Sequence, residues 1–280
     1  MRSLRMPALV LPVLCLCAVS ASAGTRTEQK SLPLKSGGTL SLSTRNSPIR
    51  VEGWDKDEVA VTADIVDTAD RPVRWEMEAV NGGVAVKAIF PDKAFGWHAG
   101  RGPSCAFTVK VPRKLAGDFS TSNDSITAGG FGGTLSFRTS NDKVELENLD
   151  GAVAVSTSNA AITARHLRAS LKGSTSNDTI RLEDVQGGVD LSTSNGDVTA
   201  SGLDGWNQGI SLSTSNGDMD IELGKATGEV RARTSRHESV KVERKNVDLL
   251  ESGGEETRVR VPGSSQVIDL TTSNGTITIR

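Results

Sequence analysis

The most constraining feature of this sequence is a short polar motif, Ser-Thr-Ser-Asn or a close variant, that returns at a constant spacing of 18 residues. The strict copies carry Asn123, Asn141, Asn159, Asn177 and Asn195, looser copies follow around Asn216, Arg236 and Asn274, and an earlier copy is Ser43-Thr44-Arg45-Asn46. A fixed period of this length indicates repeated structural units that stack on one another.

Apolar residues keep fixed positions relative to each asparagine, so the repeats align into columns. Four residues before the asparagine stand Phe119, Phe137, Val155, Leu191 and Leu212, with Gly173 as the exception. Three residues after it stand Ile126, Val144, Ile162, Ile180 and Val198. Within each segment the apolar residues alternate with polar ones, which predicts strands with one buried face, and the breaks at Gly, Asn and Asp predict turns.

A single repeat of this kind cannot bury its apolar side alone, whereas stacked repeats bury a continuous core. The sequence therefore predicts an all-β fold, a parallel β-solenoid with coils of about 18 residues and about two short strands in each coil. Residues of one column should lie directly above one another at the spacing of neighbouring strands, roughly 4.8 Å.

The polar motif itself is interpreted as a structural ladder at the corner of each coil. Strand alternation places its threonine and its asparagine inward, where stacked amides and hydroxyls can bond to the copies above and below. The ladder residues are Thr121, Asn123, Thr139, Asn141, Thr157, Asn159, Thr175, Asn177, Thr193, Asn195, Thr214, Asn216, Thr272 and Asn274. A catalytic group is needed once, so a motif that recurs in every coil favours this structural interpretation over an active site.

The chain divides into three parts that differ in regularity. Residues 1–23 combine Arg2 and Arg5 with a short apolar run and small residues before Gly24, an order typical of a secretory signal peptide. Residues 24–118 alternate less regularly and should form opening coils and a cap, continuous with the regular repeats of residues 119–280. Two stretches break the rhythm, 92–102 and 245–261, and we expect an excursion loop and an interruption of the ladder there.

Composition excludes several classes of function. Without residues 1–23 the chain holds 30 basic and 34 acidic residues, a formal charge of −4, which argues against a nucleic-acid partner. One cysteine, Cys105, remains in that part, so an intramolecular disulfide framework is excluded. Beyond the signal peptide, no apolar run is long enough for a transmembrane segment.

These motifs resemble those of a bacterial family. After Val111-Pro112, units such as Thr193-Ser194-Asn195-Gly196-Asp197-Val198 and Thr272-Ser273-Asn274-Gly275-Thr276-Ile277 resemble the repeated Thr-x-x-Gly-x-Ile units of the DUF4097 "putative adhesins", which are related to head GIN-type domains. The glycine of the unit is replaced by Asp124, Asp142, Ala160 and Asp178 in four coils. The resemblance covers nearly all of the chain after residue 23, implies a right-handed β-helix-like fold outside the cytoplasm, and transfers no catalytic residue.

Several residues are of types that could carry chemistry, but their sequence context favours structural roles. Asp124, Asp142 and Asp178 could supply a carboxylate pair for glycoside hydrolysis, but each follows an asparagine at a turn, where aspartate is favoured for local backbone bonds. His98, His166 and His237 lack metal-ligand spacing, and Asp142, Asp178 and Asp197 lack the dense glycine-aspartate pattern of calcium-binding β-rolls. The basic residues of 231–245 are interpreted as a solvated strand face. We therefore predict no catalytic residue, no metal and no cofactor.

The sequence predicts an exported, non-catalytic protein that is periplasmic, on the cell surface or secreted. Its expected role is that of an adhesin or a structural or binding protein of the cell envelope, whose partner is a surface or polymer such as a glycan. Candidate binding residues lie where the rhythm fails, at Trp97, His98, Arg101 and Trp206. Two alternatives stay open: a β-helix carbohydrate-active enzyme, either a lyase or a hydrolase, and a periplasmic accessory scaffold.

Overall fold

The structure is a computed structural model that describes residues 24–67, 72–90, 103–203, 208–235, 239–253 and 255–280. These residues form strands joined by turns, and none of them lies in an α-helix. The first half of the strands are Thr25–Pro33 (β1), Thr39–Ser43 (β2), Ile49–Trp54 (β3), Glu58–Val66 (β4), Arg74–Val80 (β5), Gly83–Ile89 (β6), Ser104–Pro112 (β7), Lys114–Ser120 (β8), Ile126–Gly129 (β9), Gly132–Arg138 (β10), Val144–Glu147 (β11) and Asp150–Ser156 (β12). The second half are Ile162–Ser174 (β13), Ile180–Val185 (β14), Val189–Thr193 (β15), Val198–Ser201 (β16), Ile210–Asn216 (β17), Met219–Ile221 (β18), Gly228–Arg233 (β19), Val240–Val242 (β20), Asp248–Gly253 (β21), Glu256–Val261 (β22), Val267–Asn274 (β23) and Ile277–Ile279 (β24).

The strands form two faces of a parallel β-solenoid, which we call sheet A and sheet B. Sheet A has the order β1-β4-β7-β3-β9-β11-β13-β14-β16-β18-β24-β20. Sheet B has the order β5-β6-β2-β8-β10-β12-β13-β15-β17-β23-β19-β22-β21. Each regular coil contributes one strand to each sheet, and β13 runs through the corner between them. The predicted all-β solenoid is confirmed.

Parallel pairing keeps residues of one column in register from coil to coil. Val144 pairs with Ile162 and Ile162 with Ile180, and all three side chains are buried. The rings of Phe119 and Phe137 stack with their centroids 5.2 Å apart. The columns of apolar residues predicted from the spacing therefore form the core between the two sheets.

The glycine exception in the column of large side chains has a steric reason. A Cβ atom added to Gly173 would lie 1.9 Å from the carbonyl oxygen of Val155 in the neighbouring coil. The backbones of β12 and β13 approach too closely at this point for any side chain.

At both ends of the solenoid, the order of the coils in space differs from their order along the chain. At the C-terminal end, β23 lies between β17 and β19 in sheet B, and β24 lies between β18 and β20 in sheet A. At the N-terminal end, β2 lies between β6 and β8, and β3 between β7 and β9. Each of these inserted coils is paired on both sides, so neither of them exposes an unpaired strand edge.

Antiparallel strands cover most of the remaining edges. At the N-terminal end, β4 and β1 continue sheet A beyond β7, and β5 continues sheet B beyond β6. At the C-terminal end, β22 and β21 continue sheet B beyond β19. The irregular stretch predicted at 245–261 therefore contains this terminal hairpin.

Candidate binding surfaces

The threonines of the repeated motif form the inner side of each corner. The threonines at positions 121, 139, 157, 175, 193, 214 and 272 are all buried. Their hydroxyls donate to backbone carbonyls of a neighbouring coil, as Thr175 does to Ala160 at 2.9 Å and Thr193 to Asp178 at 3.0 Å. The expectation that the hydroxyls bond to one another is wrong, because each hydroxyl donates to the backbone carbonyl of a turn instead. Each of these seven buried hydroxyls is therefore satisfied, whereas the hydroxyl of Thr44 in the earliest copy is buried without a hydrogen-bond partner.

The asparagines of the motif form the outer side of the same corner. Asn159 donates from Nδ2 to Oδ1 of Asn141 at 2.8 Å, and Asn177 donates to Asn159 at 2.8 Å. The chain of amide bonds runs from Asn46 through the asparagines at 123, 141, 159, 177, 195 and 216 to Asn274. Every member of this ladder is exposed, so the expected inward orientation of the asparagine is wrong. The chain bends at the serine between threonine and asparagine, and strand alternation no longer holds there.

In most corners the residue after the asparagine is an aspartate or a glycine, and these two residues define two types of corner. In one type, the Oδ1 atoms of Asp124, Asp142 and Asp178 accept a bond from the next backbone N–H at 2.6 to 2.8 Å. In the other type this residue is a glycine, and a Cβ on Gly196 would lie 2.1 Å from the carbonyl oxygen of Asp178. The three aspartates are thus engaged in local turn bonds.

The outward face of sheet B carries a row made mostly of small hydroxyl side chains, which two arginines interrupt or end. The row follows one in-register position through nine strands, and none of its members is buried. Its members in spatial order are Ser43, Ser120, Arg138, Ser156, Ser174, Ser192, Ser213, Thr271 and Arg233. We call it the hydroxyl row, and at the usual strand spacing it is about 38 Å long.

The outward face of sheet A carries a row of different chemistry. One in-register position alternates between threonine and a charged residue, and the charges alternate in sign. Its members in spatial order are Arg50, Thr127, Glu145, Thr163, Arg181, Thr199, Asp220, Thr278 and Lys241. Ion pairs with neighbouring side chains engage both acidic members: Lys143 lies 2.8 Å from Glu145, and Arg280 lies 2.9 Å from Asp220.

A polar cleft lies at the corner where sheet A turns into sheet B. Its volume is about 380 Å³. It is lined by Asn148, Asp150, His166, Leu167, Arg168, Asp184 and Gln186. The imidazole Nδ1 of His166 lies 3.0 Å from Oδ2 of Asp184, and this hydrogen bond raises the pKa of His166 above its ordinary value. Sequence analysis discusses His166 only in connection with metal binding and does not predict this cleft. The signal that could have predicted it is the constant spacing of 18 residues among Asn148, His166 and Asp184.

The basic residues of 231–245 include members of an ion-pair network on the antiparallel cap. The carboxylate of Glu229 lies 2.8 Å from Arg231, 2.6 Å from Arg258 and 3.6 Å from Arg260. Hydrogen bonds from Arg231 and Arg258 lower the pKa of Glu229 to about 2. The network ties β19 to β22, so these arginines hold the cap in the structure.

Other candidates give no site in the described part of the chain. Trp97, His98, Arg101 and Trp206 lie outside the described residues, as does the signal peptide predicted for residues 1–23. Among the residues that the structure describes, no group of three histidines, cysteines or carboxylates is placed to hold a metal ion. Burial raises the pKa of the Cys105 thiol to about 12, which makes it a poor nucleophile. A search of the described residues finds no helix that is long and apolar enough to cross a membrane.

No protein-family model and no curated protein sequence matches the chain. Among solved structures, a "putative adhesin" from Bacteroides fragilis is 9% identical, with 91% of this chain and 97% of that chain covered and a TM-score of 0.37. A "putative lipid binding protein" from Parabacteroides distasonis is 13% identical, with 91% and 96% covered and a TM-score of 0.39. A "putative cell adhesion protein" from Clostridium sporogenes is 10% identical, with 91% and 99% covered and a TM-score of 0.26. At TM-scores this low the superpositions support neither fold nor function, and the resemblance to DUF4097 proteins stays an expectation.

Proposed function

We propose that the protein is an exported, non-catalytic binding protein of the cell envelope, which holds a polymer or another surface against the flat sides of its solenoid. The observation that carries this proposal is the hydroxyl row on sheet B. Seven of its nine positions are serine or threonine, and all nine lie on consecutive strands.

The hydroxyl row suits a repetitive partner for two reasons. Hydroxyls both donate and accept hydrogen bonds, so they match the hydroxyl and amide groups of a glycan. Short side chains also lose little conformational entropy on contact, which keeps the cost of covering a long flat face low. The alternating row on sheet A offers a second flat surface, in which the opposite charges largely cancel.

The direct test is a binding screen of the purified protein against insoluble polysaccharides and isolated cell-envelope polymers. We expect wild type to co-sediment with at least one of them, and the triple variant Ser156→Asp, Ser174→Asp, Ser192→Asp to lose most of that binding. The matched control is Thr127→Asp, Thr163→Asp, Thr199→Asp on the opposite face, which adds the same charge. Failure of wild type to bind any polymer would contradict the proposal.

The alternative that the protein is a carbohydrate-active enzyme is tested by a separate assay. The same polysaccharides are incubated with the protein and assayed for reducing ends and unsaturated products. Release of either product, abolished by Asp142→Ala, would replace the binding function by a catalytic one. We expect no release, since the turn aspartates are engaged by their neighbouring backbone N–H groups.

A further inference from the structure

The corner cleft is built from one turn position that recurs in consecutive coils. Asn148, His166 and Asp184 stand 18 residues apart and adopt positive φ angles of 52°, 53° and 50°. The same position in the coil before them is Gly130, with a φ of 78°, and in the coil after them it is Gly202, with a φ of 64°. Glycine is the residue that this conformation favours.

The three coils of the cleft therefore carry side chains where the flanking coils carry none. Asparagine, histidine and aspartate tolerate positive φ better than other residues, yet glycine tolerates it at no steric cost. A second position of the same turn follows the same rule: Asp150 and Arg168 are in-register neighbours, whereas the coil before them has Gly132. Polar side chains are thus concentrated in one bounded stretch of the corner.

The side chains of the cleft form a mixed set of hydrogen-bonding groups. The amides of Asn148 and Gln186 both donate and accept, the guanidinium of Arg168 donates, and the carboxylates of Asp150 and Asp184 accept. The bond between His166 and Asp184 fixes the imidazole against the next coil. Only Leu167, a buried residue, contributes an apolar side chain to the lining.

This chemistry selects one class of ligand. The lining has two carboxylates against one guanidinium and one imidazole, so even with a protonated His166 it offers no excess of positive charge for an anion. A single leucine offers too little apolar surface for a lipid chain. Neighbouring hydroxyls of a sugar donate and accept at once, and they match planar amide, carboxylate and guanidinium groups set side by side.

We propose that the corner cleft is a saccharide-binding site, which holds a short neutral segment of a glycan chain across the three coils of Asn148, His166 and Asp184. This inference rests on the proposed binding function and assigns to it a site separate from the hydroxyl row. Three coils at the usual strand spacing give the site a length of about 10 Å.

The test uses a variant in which the three cleft residues are replaced by the glycine that occupies the same turn position in the flanking coils. In the triple variant Asn148→Gly, His166→Gly, Asp184→Gly, the cleft corner copies the flanking coils with Gly130 and Gly202, so folding is preserved. The probes are neutral oligosaccharides of glucose and of N-acetylglucosamine with two to six units, and binding to the full chain is measured by calorimetry. The control is Ser140→Ala, Ser158→Ala, Ser176→Ala, at exposed serines of the repeated motif that belong to neither the cleft nor the hydroxyl row.

We expect wild type to bind at least one oligosaccharide, the cleft variant to bind it at least tenfold more weakly, and the control to bind it within twofold of wild type. Circular dichroism should give both variants the melting behaviour of a folded protein. Equal binding by wild type and the cleft variant overturns the saccharide site, while polymer binding through the hydroxyl row still stands. If wild type binds polymers but none of the oligosaccharides, the site is also overturned, and if it binds neither, both proposals fail.

Discussion

The inner and outer sides of the repeated corner are two residues apart in sequence and opposite in physical role. The threonine is buried and bonds to a backbone carbonyl, whereas the asparagine is exposed and bonds to the amide of the next asparagine. Each copy of the motif therefore contains one residue that must suit burial, the threonine, and one that must suit exposure to water, the asparagine. The inner side should tolerate change much less than the outer side.

The largest effect is expected from a charge placed on the inner side. Thr175→Asp buries a carboxylate beside the carbonyl oxygen of Ala160, without a compensating partner, and should lower the free energy of unfolding by about 3–5 kcal/mol. The matched control is Asn177→Asp, two residues further on the outer side, which should cost less than about 1 kcal/mol. Urea denaturation of both variants gives the two values, and equal losses would remove the distinction between the sides.

A milder change isolates the inner hydrogen bond. Thr175→Val keeps the shape of the side chain but leaves the carbonyl of Ala160 without this donor, so we expect a loss of about 1–2 kcal/mol. Thr175→Ser retains the hydroxyl and should recover part of that loss. If valine is as stable as threonine in urea denaturation, the buried hydroxyl does not hold the corner.

The outer ladder should contribute less per member. Asn159→Ala removes the bonds to Asn141 and Asn177, both of which are exposed to water, and should cost about 0.5–1 kcal/mol. Asn159→Lys should cost a similar amount because the ammonium points into solvent. Thermal melting of the two variants checks this, and a loss of several kcal/mol for the lysine variant would place Asn159 on the inner side after all.

The smallest effect concerns pH and the pair of His166 and Asp184. The hydrogen bond that the His166 ring donates to the carboxylate of Asp184 raises the pKa of His166, with smaller contributions from the nearby carboxylates of Glu183 and Glu147. A raised histidine pKa adds stability that is fully present below its unfolded pKa, about 6.5, and is lost as pH rises through the folded pKa. The difference in melting temperature between wild type and Asp184→Asn should therefore shrink from pH 6 to pH 8. A difference that is constant over that range would contradict the pairing.

The sequence predicts the solenoid and its core because every coil must bury residues at the same positions. The apolar residues therefore recur with the period of the coil and can be recognised in the sequence. The sequence mispredicts the orientation of the asparagine, since the alternation of a strand says nothing about the bend that follows Thr157 or Thr175. The insertion of the coil 267–279 between two earlier coils could not be predicted from the repeat. Its apolar residues fit the same columns whichever coil lies next to it. The corner cleft was missed for a related reason: its residues share a spacing but no residue type.

The most direct test of the outward ladder and of its path through the inserted coil is a disulfide across two distant copies of the motif. Asn216 pairs in register with Asn274, with Nδ2 of Asn274 2.7 Å from Oδ1 of Asn216, although 58 residues separate them. Neighbouring parallel strands lie at a distance that a disulfide can bridge. In a Cys105→Ala background, Asn216→Cys with Asn274→Cys should form a disulfide on mild oxidation, mapped by peptide mass spectrometry. If this pair stays reduced while Asn216→Cys with Arg236→Cys forms a disulfide, the coils stack in chain order and the account is wrong.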